Sequence, residues 1–290
     1  MTQTQNDVRW YAGRVKDLLA IERQLLTATG LGFSERARLW LERWSAVARN
    51  RRTLRYLGAP FEYDGRLLPL LLPAYVDDVS RLDSIVSLRG ATVIDVGANV
   101  GQFGATVTRR FPGASVWSFE PNATPLEMLR RNASGAANWT IVPWGIAEQD
   151  MEANLWAVEG HSAQGSIYRG NALLGLREDS AVEYRVELRR LTPARRAELQ
   201  IPDVVDLVKI DVEGAEGAVL AGLDGLRWRF MTIETSRGRE GGLTVDEACD
   251  RCEEIWQARP QVIWTSTPAP DAITVEAILA MPTPGAAQSQ

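Results

Sequence analysis

The stretch Thr92-Val-Ile-Asp-Val-Gly-Ala-Asn-Val-Gly-Gln-Phe103 carries the clearest structural pattern in this chain of 290 residues. It begins with apolar, β-branched residues that show no helical period, which is typical of a parallel strand covered on both faces. Gly97 and Gly101 then permit a tight turn and the close approach of a ligand to the backbone. A helix predicted over residues 102–110 would direct its positive N-terminal end at the same turn. The stretch therefore predicts a binding site for a polar ligand.

A second strand pattern, Val116-Trp-Ser-Phe-Glu-Pro121, ends in an acidic residue. In a doubly wound sheet, the carboxylate at the end of the second strand is placed to accept hydrogen bonds from a ribose, so Glu120 is the ribose candidate. A dinucleotide site requires the middle glycine of Gly-x-Gly-x-x-Gly, because the pyrophosphate packs on it. Asn99 fills that position here. An asparagine crowds a pyrophosphate but can hydrogen-bond a ligand with an amino-acid tail, which favours S-adenosylmethionine over NAD.

Strand and helix signals alternate regularly from Thr92 onward. Strands are predicted over residues 92–96, 115–120, 140–143 and 205–211, and helices over residues 102–110 and 125–133. This alternation predicts an α/β fold with a doubly wound, mostly parallel sheet of the Rossmann-like type. Residues 144–168 and 182–191 interrupt it with Gly, Ser, Gln and short β-like pieces. We expect them to form antiparallel strands or an ordered loop across the open end of the sheet.

The first 90 residues predict a helical N-terminal extension. Helices are predicted over residues 7–27, 34–57 and 75–88, since apolar residues recur there at helical spacing. A small hairpin between the last two would turn on Asp64-Gly65, a pair that adopts positive φ angles at little cost. Residues 91–281 would then form the α/β domain, and residues 282–290 a frayed tail rich in Pro, Ala, Gly and Gln.

Composition limits the kinds of protein that this chain can be. With 45% hydrophobic and 24% charged residues, it has the composition of an ordinary soluble globular protein. No apolar run approaches the roughly 20 residues that cross a bilayer. Residues 1–30 lack the apolar centre of a signal peptide. We therefore expect a cytoplasmic protein.

The N-terminal segment is basic although the chain as a whole is acidic. Residues 1–60 contain 11 basic residues against 5 acidic ones, whereas the formal net charge of the whole chain is −5. Four arginines, at positions 49, 51, 52 and 55, cluster near the end of the second predicted helix, where cations suit the helix dipole. A solvated helix end explains them, and contact with a membrane surface or an acidic glycan is the alternative.

Two cysteines, Cys249 and Cys252, have the Cys-x-x-Cys spacing within a predicted helix over residues 244–258. Neither a second cysteine pair nor nearby histidines accompany them, so the spacing is weak support for a zinc site. The strand-to-helix setting of a redox motif is also missing. We interpret both as structural thiols.

Three separate blocks of the sequence agree in order and spacing with one known family. The blocks are Val93-Ile-Asp-Val-Gly-Ala-Asn-Val-Gly-Gln-Phe103, Phe119-Glu-Pro121 and Leu207-Val-Lys-Ile-Asp-Val-Glu-Gly-Ala-Glu216. Together they resemble the FkbM family of S-adenosylmethionine-dependent methyltransferases. The resemblance covers residues 93–235 and implies that residues 91–281 form a methyltransferase domain. Residues 1–90 show no family signature and are interpreted as a substrate-recognition or dimerisation segment.

The resemblance implies that S-adenosylmethionine is the cofactor and assigns residues to its parts. Residues of the first block would hold the methionine end, namely Asp95, Gly97, Asn99 and Gly101. Glu120 would bind the ribose hydroxyls. Trp144 follows the third strand, so it would stack on the adenine or else be a core tryptophan. Asp211 ends a central strand beside the proposed crevice, where it would contact the cofactor or cap the next helix.

Methyl transfer to an alcohol calls for a general base, because an unassisted hydroxyl is a poor nucleophile near neutral pH. His161 is the only histidine, and it lies in the segment predicted to cross the open end of the sheet. Its ordinary pKa of about 6.5 suits a base. A histidine in a surface loop is the alternative. We predict His161 ahead of the carboxylates Asp211, Glu213 and Glu234.

The carboxylates near the ends of the last two predicted strands have several possible roles. Asp211, Glu213, Glu216 and Glu234 would act as a base, cap helices or bind a divalent ion. Oxygen ligands of this kind suit Mg²⁺, so Mg²⁺ is a candidate metal. Lys209 lies within the fourth predicted strand and is expected to pair with one of these acids.

The sequence therefore predicts an O-methyltransferase that acts on a hydroxyl of a sugar, a glycan or a natural-product scaffold. A nicotinamide-dependent oxidoreductase would share the fold, but the middle glycine and a Tyr-x-x-x-Lys signature are missing. A non-catalytic protein that binds an adenosine ligand is the other alternative. Nucleic acid is not an expected partner, because the catalytic part is acidic and has no Asn-Pro-Pro-Tyr motif. No sequence feature points to a particular oligomeric state.

Overall fold

The structure is a computed structural model that describes residues 22–23, 31–65, 68–158, 165–172, 181–236, 238–266 and 274–282. The helices whose two ends are described are α1 Phe33–Ala48, α2 Leu68–Val86, α3 Gln102–Arg110, α4 Ala123–Ala133, α5 Arg169–Ala172, α6 Pro193–Glu198, α7 Glu216–Gly222 and α8 Val245–Trp256. The strands are β1 Thr53–Tyr56, β2 Ala59–Glu62, β3 Thr92–Val96, β4 Ser115–Phe119, β5 Trp139–Val142, β6 Gly145–Ile146, β7 Met151–Val158, β8 Ala181–Arg189, β9 Val204–Ile210, β10 Arg227–Ser236, β11 Gln261–Thr265 and β12 Thr274–Ala280. Among the described helices, none combines the length and the apolar character that a membrane crossing requires.

In the part of the chain that the structure describes, the main sheet has seven strands in the order β11-β12-β10-β9-β3-β4-β5. The five strands from β10 to β5 run parallel, whereas β12 and β11 are antiparallel to their neighbours. The chain moves outward from β3 to β4 and β5 on one side, and later to β9 and β10 on the other. The switch point of the sheet therefore lies beside β3, where the carboxyl ends of the parallel strands meet. The predicted α/β fold with a doubly wound, mostly parallel sheet is confirmed.

Helices cover both faces of this sheet, because successive side chains of a strand point to opposite faces. Val93 packs into a core that it shares with residues of α1 to α4, whereas Ile94 and Val96 pack into a second core with α7 and α8. Cys249 and Cys252 of α8 lie in this second core as free, buried thiols. Their burial is consistent with the structural role expected from the sequence.

A second sheet has three strands among the described residues, in the order β6-β8-β7. Strands β7 and β8 pair antiparallel from Met151 opposite Leu188 to Val158 opposite Ala181. These are the irregular stretches for which the sequence predicted antiparallel strands or an ordered loop, and the structure shows strands. This small sheet has its own apolar core and stands beside the carboxyl end of the main sheet.

The N-terminal hairpin differs from the prediction. Helix α1 ends at Ala48 instead of residue 57, and the chain then forms the antiparallel strands β1 and β2. They turn on Leu57 and Gly58, whose φ angles are 47° and 87°, rather than on the predicted Asp64-Gly65 pair. Leu54 and Tyr56 are both buried, which fits the period of a strand. The prediction was wrong because Leu54 and Leu57 also match the helical period.

The four clustered arginines therefore do not mark the end of a helix beyond residue 49. Arg49 follows α1 directly, and the others lie in the next loop and in β1. Arg51 pairs with Glu42, and Arg52 pairs with Asp64. Arg55 donates to the carbonyl oxygen of Gly58. Contacts within the chain thus account for three of the four side chains.

The hairpin is tied to the helices that flank the β3 turn. The Tyr56 hydroxyl lies 2.6 Å from the Thr106 hydroxyl oxygen of α3, and both residues are buried. Arg109 of α3 donates to the carbonyl oxygen of Tyr56 at 2.8 Å. Asn132 of α4 exchanges hydrogen bonds with the backbone of Glu62, at 2.6 and 2.7 Å. The β1–β2 hairpin therefore packs against the α/β part of the chain.

Helix α2 begins seven residues earlier than predicted and contains Pro73 in its second turn. Proline has no N–H, so the carbonyl oxygen of Pro69, four residues earlier, receives no helical hydrogen bond. Arg43 of α1 supplies the missing donor, because its Nε lies 2.9 Å from that oxygen and its Nη2 lies 3.1 Å from the oxygen of Leu70. Arg43 is fully buried. A buried guanidinium therefore joins α1 to the first turn of α2.

Candidate active site

A cavity opens where the parallel strands end. Its described walls include the turn after β3, the residues after β4 and β9, the end of β10, and parts of α2, β7 and β8. The carboxyl ends of parallel strands at a switch point are where open α/β sheets bind their ligands. The predicted residues in these walls are Gly97, Asn99, Glu120, Asp211, Glu213 and Glu234.

The turn after β3 depends on two glycines. Gly97 has a φ angle of 77°, and a Cβ there would overlap the backbone carbonyl oxygen of Asp211. Gly101 has a φ angle of 92° and begins α3, and a Cβ there would overlap Leu129 and Trp139. Gly97 therefore lets β3 and β9 approach each other at the cavity. Gly101 instead packs against Leu129 of α4 and Trp139 of β5. It lies outside the described lining of the cavity, whereas the sequence predicted a contact with the cofactor.

Glu120 is held by the backbone on both sides. Its Oε2 accepts a hydrogen bond from the N–H of Asn99, and its Oε1 accepts one from the N–H of Asn122, each at 2.8 Å. Burial raises the pKa of this carboxyl to about 7, although the two backbone hydrogen bonds lower it. Each carboxylate oxygen can accept a second hydrogen bond. Glu120 can thus accept hydrogen bonds from a ligand while it holds the turn.

Asp95 lies below the cavity and not in its wall. Its side chain is 0% exposed, and it accepts a hydrogen bond at 2.9 Å from the Ser118 hydroxyl on β4. Burial raises the pKa of this carboxyl, whereas Lys209 and Ser118 lower it. Asp95 therefore lies outside the described lining of the cavity, because it faces its neighbours inside the sheet, and its contact with the cofactor stays a prediction.

Lys209 links the ends of β3 and β9. Its Nζ lies 3.3 Å from Asp95 Oδ1 and 3.2 Å from Asp211 Oδ2, and it donates to the carbonyl oxygen of Gly97 at 3.0 Å. Burial by itself lowers the pKa of the ammonium group, but Asp211 and Asp95 more than offset this and raise it. The amine therefore stays charged. The predicted pairing of Lys209 with a neighbouring acid is present, and it involves two acids.

Three carboxylates meet at the end of the cavity near β9 and β10. One oxygen each from Asp211, Glu213 and Glu234 lies within 4.8 Å of the other two. Asp211 pairs with Lys209, and Glu213 pairs with Arg239. Burial and, after it, the neighbouring Asp211 raise the pKa of Glu234 to about 8, although Lys209 opposes them. Glu234 is thus a carboxyl group that titrates slightly above neutral pH.

Glu213 is fixed through its backbone. Its φ angle of 53° is in the left-handed region, which is unusual for a residue other than glycine. Its carbonyl oxygen accepts hydrogen bonds from the Ser166 hydroxyl at 2.8 Å and from the Asn171 amide at 3.0 Å. Glu216, the other acid of this motif, is fully buried and accepts from Gly214 N–H and the Ser236 hydroxyl, each at 3.0 Å. Glu216 is therefore structural.

Trp144 and His161 are the remaining predicted site residues. Trp144 is buried in the second core, with its ring 5.0 Å from that of Phe119 in an edge-to-face arrangement. It lies outside the described cavity lining, which favours the interpretation as a core tryptophan over stacking on adenine. His161, the predicted base, lies outside the described residues.

Tyr75 of α2 lines the same cavity, although sequence reasoning did not select it. It belongs to the N-terminal extension, which carries no family motif. The sequence signal that was available is its position two residues after Pro73, on the helix that delivers the chain to β3. Its contact with the cavity depends on how α2 packs on the sheet.

A Rossmann-like α/β sheet with a glycine turn and an acidic residue after the second strand defines a class of proteins that bind nucleotide-type ligands. Residues 95–257, more than half of the chain, match the family model of the methyltransferase FkbM domain. The chain belongs to the FkbM family of S-adenosylmethionine-dependent methyltransferases. S-adenosylmethionine is accordingly its cofactor.

Several curated relatives share about 30% identity with part of the chain. The AMB antimetabolite synthetase AmbE of Pseudomonas aeruginosa is 30% identical over 58% of this chain and 9% of the synthetase. Methyltransferase sdnD of Sordaria araneosa is 29% identical over 49% of this chain and 65% of its own length. The 31-O-demethyl-FK506 methyltransferase FkbM of Streptomyces tacrolimicus is 29% identical over 49% and 64%. The chain thus spans less than two thirds of each of these relatives.

Solved structures with a similar course of the chain are more distant. Fibrillarin from Aeropyrum pernix, in complex with natively bound S-adenosyl-L-methionine, is 12% identical with a TM-score of 0.43 over 79% of this chain and 82% of that one. A predicted O-methyltransferase from Agrobacterium tumefaciens is 15% identical with a TM-score of 0.41 over 69% and 78%.

Proposed function

We propose that the protein transfers a methyl group from S-adenosylmethionine to a hydroxyl oxygen of a small molecule, either a sugar, a glycan or a natural-product scaffold. The observation that carries this proposal is Glu234, a carboxyl group in the cavity wall whose pKa is raised to about 8 by burial and by Asp211. An alcohol oxygen needs a nearby base, and a base titrating near the working pH is the most effective. The name of the FkbM relative, which gives 31-O-demethyl-FK506 as its substrate, also supports a hydroxyl acceptor.

The turn after β3 and Glu120 suit the cofactor. Gly97 lets β3 approach the carbonyl oxygen of Asp211 closely, and the backbone of this turn lines the cavity. We assign the ribose hydroxyls to Glu120 and the methionine end to the backbone around Gly97 and Asn99. When bound, S-adenosylmethionine supplies a methyl group on a positively charged sulfur. The neighbouring carboxylate of Asp211 complements that positive charge.

Two groups are candidates for the base. Glu234 would accept the proton of the acceptor hydroxyl as the oxygen forms its new bond to carbon. Its deprotonated fraction grows as the pH passes about 8. His161 remains the base predicted from sequence. Asp211 is less suited to this role, because its carboxylate pairs with the charged amine of Lys209 at 3.2 Å. We assign Asp211 to orientation of the cofactor.

The carboxylate cluster fits Mg²⁺ poorly. Two of its three members, Asp211 and Glu213, already pair with the cations Lys209 and Arg239. A divalent ion would have to displace or repel both of these cations. We therefore assign no step to a metal. Treatment with EDTA should leave turnover unchanged, and a loss of turnover that added Mg²⁺ restores would contradict this assignment.

Methyl-labelled S-adenosylmethionine tests the proposed reaction directly. Purified protein should transfer label to members of a panel of monosaccharides, oligosaccharides and hydroxylated polyketides. Analogues in which the same scaffold carries an amine or a carboxylic acid instead of the hydroxyl serve as matched controls and should stay unlabelled. Preferential labelling of the amines or acids would contradict transfer to a hydroxyl.

The same proposal predicts a change in cells and a preference between cofactors. A strain that lacks the protein should accumulate a glycan or secondary metabolite lighter by one methyl group, as seen by mass spectrometry. Titration calorimetry should show binding of S-adenosylmethionine and no comparable binding of NAD. Binding of NAD alone would favour the oxidoreductase, and binding without any turnover would favour a non-catalytic protein.

A further inference from the structure

Helix α2 contributes a side chain to the cavity although it precedes the region that the family model matches. The match begins at residue 95, and Tyr75 of α2 lines the cavity. Arg43 holds the first turn of this helix through the carbonyl oxygens of Pro69 and Leu70. Tyr75 follows within the next turn. The tyrosine therefore projects from a part of the helix that is anchored to the rest of the N-terminal region.

The charged groups around Tyr75 place it at the carboxylate end of the cavity. Burial raises the pKa of its phenol above the usual value, Asp211 and Glu234 raise it further, and Lys209 opposes them. The phenol therefore stays protonated and can donate a hydrogen bond. Among the described residues it has no hydrogen-bond partner. A donor next to Asp211 and Glu234 is thus free to meet a ligand.

The ribose candidate occupies a different part of the same cavity. Glu120 is enclosed by the backbone N–H groups of Asn99 and Asn122, after β4. Strands β3 and β9 stand between β4 and β10 in the sheet, so Glu120 and Glu234 lie on opposite sides of the turn at Gly97. Tyr75 belongs to the side of Glu234. A ligand that contacts Tyr75 there lies beyond the cofactor's nucleoside.

We infer that Tyr75 is a specificity-determining residue of the acceptor site, an inference that rests on the proposed transfer of a methyl group to a hydroxyl. Its phenol donates a hydrogen bond to an oxygen of the acceptor, and its ring packs against the carbon skeleton. Glu234 faces the hydroxyl that is methylated. An acceptor that satisfies both residues carries a second oxygen, a hydroxyl or an ether, close to the hydroxyl that reacts. Sugars and polyoxygenated ring systems have this pattern.

Two substitutions separate the contributions of the hydroxyl and the ring. Tyr75→Phe removes only the donor, and Tyr75→Ala also removes the ring. Tyr63→Phe is the matched control, because Tyr63 lies in the same N-terminal region and donates its hydroxyl to the carbonyl oxygen of Arg51. The probe is an aqueous methanol extract of source cells that lack the protein, titrated against the full chain with methyl-labelled S-adenosylmethionine.

We expect Tyr75→Phe to raise the half-saturating extract concentration roughly threefold to tenfold, the effect of one lost hydrogen bond. Tyr75→Ala should raise it by roughly tenfold or more, because ring contacts are lost as well. Tyr63→Phe should leave it unchanged. Binding of the extract compounds without turnover, measured by ultrafiltration and mass spectrometry with S-adenosylhomocysteine present, should fall in the same order. The affinity for S-adenosylmethionine should match that of the unmodified protein in all three variants.

Each other outcome overturns a particular statement. If the unmodified protein labels the extract and both Tyr75 variants match it, Tyr75 has no part in acceptor recognition. If the Tyr75 variants weaken binding of S-adenosylmethionine, the residue belongs to the cofactor site. If the unmodified protein labels neither the extract nor the panel of hydroxyl compounds, the proposed function fails and the inference fails with it.

Discussion

Glu120 serves both the fold and the expected ligand. Its oxygens hold the N–H groups of Asn99 and Asn122, so the carboxylate fixes the turns after β3 and β4 at the same time. Burial keeps its pKa at about 7, far above that of an ordinary glutamic acid. The protonation state of the Glu120 carboxyl group therefore changes within the range of pH in which proteins are usually assayed.

Removal of Glu120 should weaken cofactor binding. Glu120→Ala should reduce the affinity for S-adenosylmethionine by about 1.5–3 kcal/mol, the range for hydrogen bonds to a charged group. In the unmodified protein the affinity should rise as the pH passes about 7, because the ionised carboxylate is the better acceptor. Titration calorimetry at several pH values, with circular dichroism to check the fold, measures both effects. Unchanged affinity in a folded variant would remove Glu120 from the site.

Replacement of Glu234 should lower the rate of methyl transfer. Glu234→Gln keeps the size of the side chain and removes the base, so kcat should fall roughly 10²–10⁴-fold while the affinity for S-adenosylmethionine changes little. The rise of kcat as the pH passes about 8 should disappear in the variant. His161→Gln is the matched comparison, because it tests the base predicted from sequence. A large loss in His161→Gln with normal turnover in Glu234→Gln would assign the proton transfer to the histidine.

The same carboxyl should make stability depend on pH. The pKa of Glu234 is raised from 4.5 to about 8 on folding, so between these values the folded state holds a proton that the unfolded state has lost. The free energy of unfolding therefore falls as the pH rises through this window. Glu234→Gln removes this effect, so its Tm should exceed that of the unmodified protein by an amount that grows from pH 4.5 to 8. A difference in Tm that is constant over this range would contradict the raised pKa.

At the scale of elements, the turn after β3 depends on Gly97. A positive φ angle costs an alanine about 1–2 kcal/mol, and overlap with the Asp211 carbonyl oxygen adds roughly 1–3 kcal/mol for a forced shift of packed groups. Gly97→Ala should therefore lower the free energy of unfolding by roughly 2–5 kcal/mol and abolish binding of S-adenosylmethionine. Denaturant unfolding and calorimetry measure the two effects.

Gly113→Ala is the control for this prediction. Gly113 has a similar φ angle of 80°, but a Cβ there would have its nearest neighbour at 3.5 Å. The control should lose only the about 1–2 kcal/mol of the positive φ angle and keep its affinity for the cofactor. Equal losses in the two variants would show that the approach of β3 and β9 is not what requires a glycine at residue 97.

The strand and the helix on either side of this turn are specified by their own local sequence. The sequence predicted β3 and α3 to the residue, because a buried β-branched run and a glycine before a helix leave few alternatives. The β1–β2 hairpin was missed, since Leu57 adopts a φ angle of 47° that a leucine seldom takes alone. Contacts of Tyr56 with Thr106 and of Glu62 with Asn132 support that turn, and no local pattern reveals them.

Some residues of the candidate site could likewise be predicted from local sequence, whereas others depend on tertiary packing. Glu120, Asp211 and Glu234 were found because they end parallel strands, and such residues meet by topology. Asp95 also lies on a strand, but its depth in the sheet and its Lys209 partner depend on three strands at once. Tyr75 lies on a helix from outside the sheet, so only the packing of that helix brings it to the cavity.

At the scale of the whole molecule, the N-terminal region and the methyltransferase domain share one core. Residues from α1, β1, β2 and α2 pack in the same apolar cluster as residues from β3, α3 and α4. Arg109 and Asn132 add hydrogen bonds from the domain to the hairpin. The position of α2 beside the cavity therefore depends on contacts made by residues that precede it in the chain. The contacts of Arg43 are the ones that single substitutions can test most directly.

Arg43 replaces the helical donor that Pro73 removes. Arg43→Met keeps much of the apolar length but leaves the carbonyl oxygens of Pro69 and Leu70 and the carboxylate of Glu22 without this donor, so it should cost about 2–5 kcal/mol of unfolding free energy. Arg38→Met, an exposed position on the same helix, should change stability by no more than about 0.5 kcal/mol.

A second substitution tests whether Arg43 acts through the Pro69 oxygen. Adding Pro73→Ala to Arg43→Met supplies an N–H to that oxygen, so the free energy of unfolding of the double variant should exceed the value expected if the two single effects simply added. A double-mutant cycle by urea unfolding measures this coupling, which we expect to be about 1 kcal/mol. Strict additivity would mean that Arg43 does not act through the carbonyl that the proline leaves open.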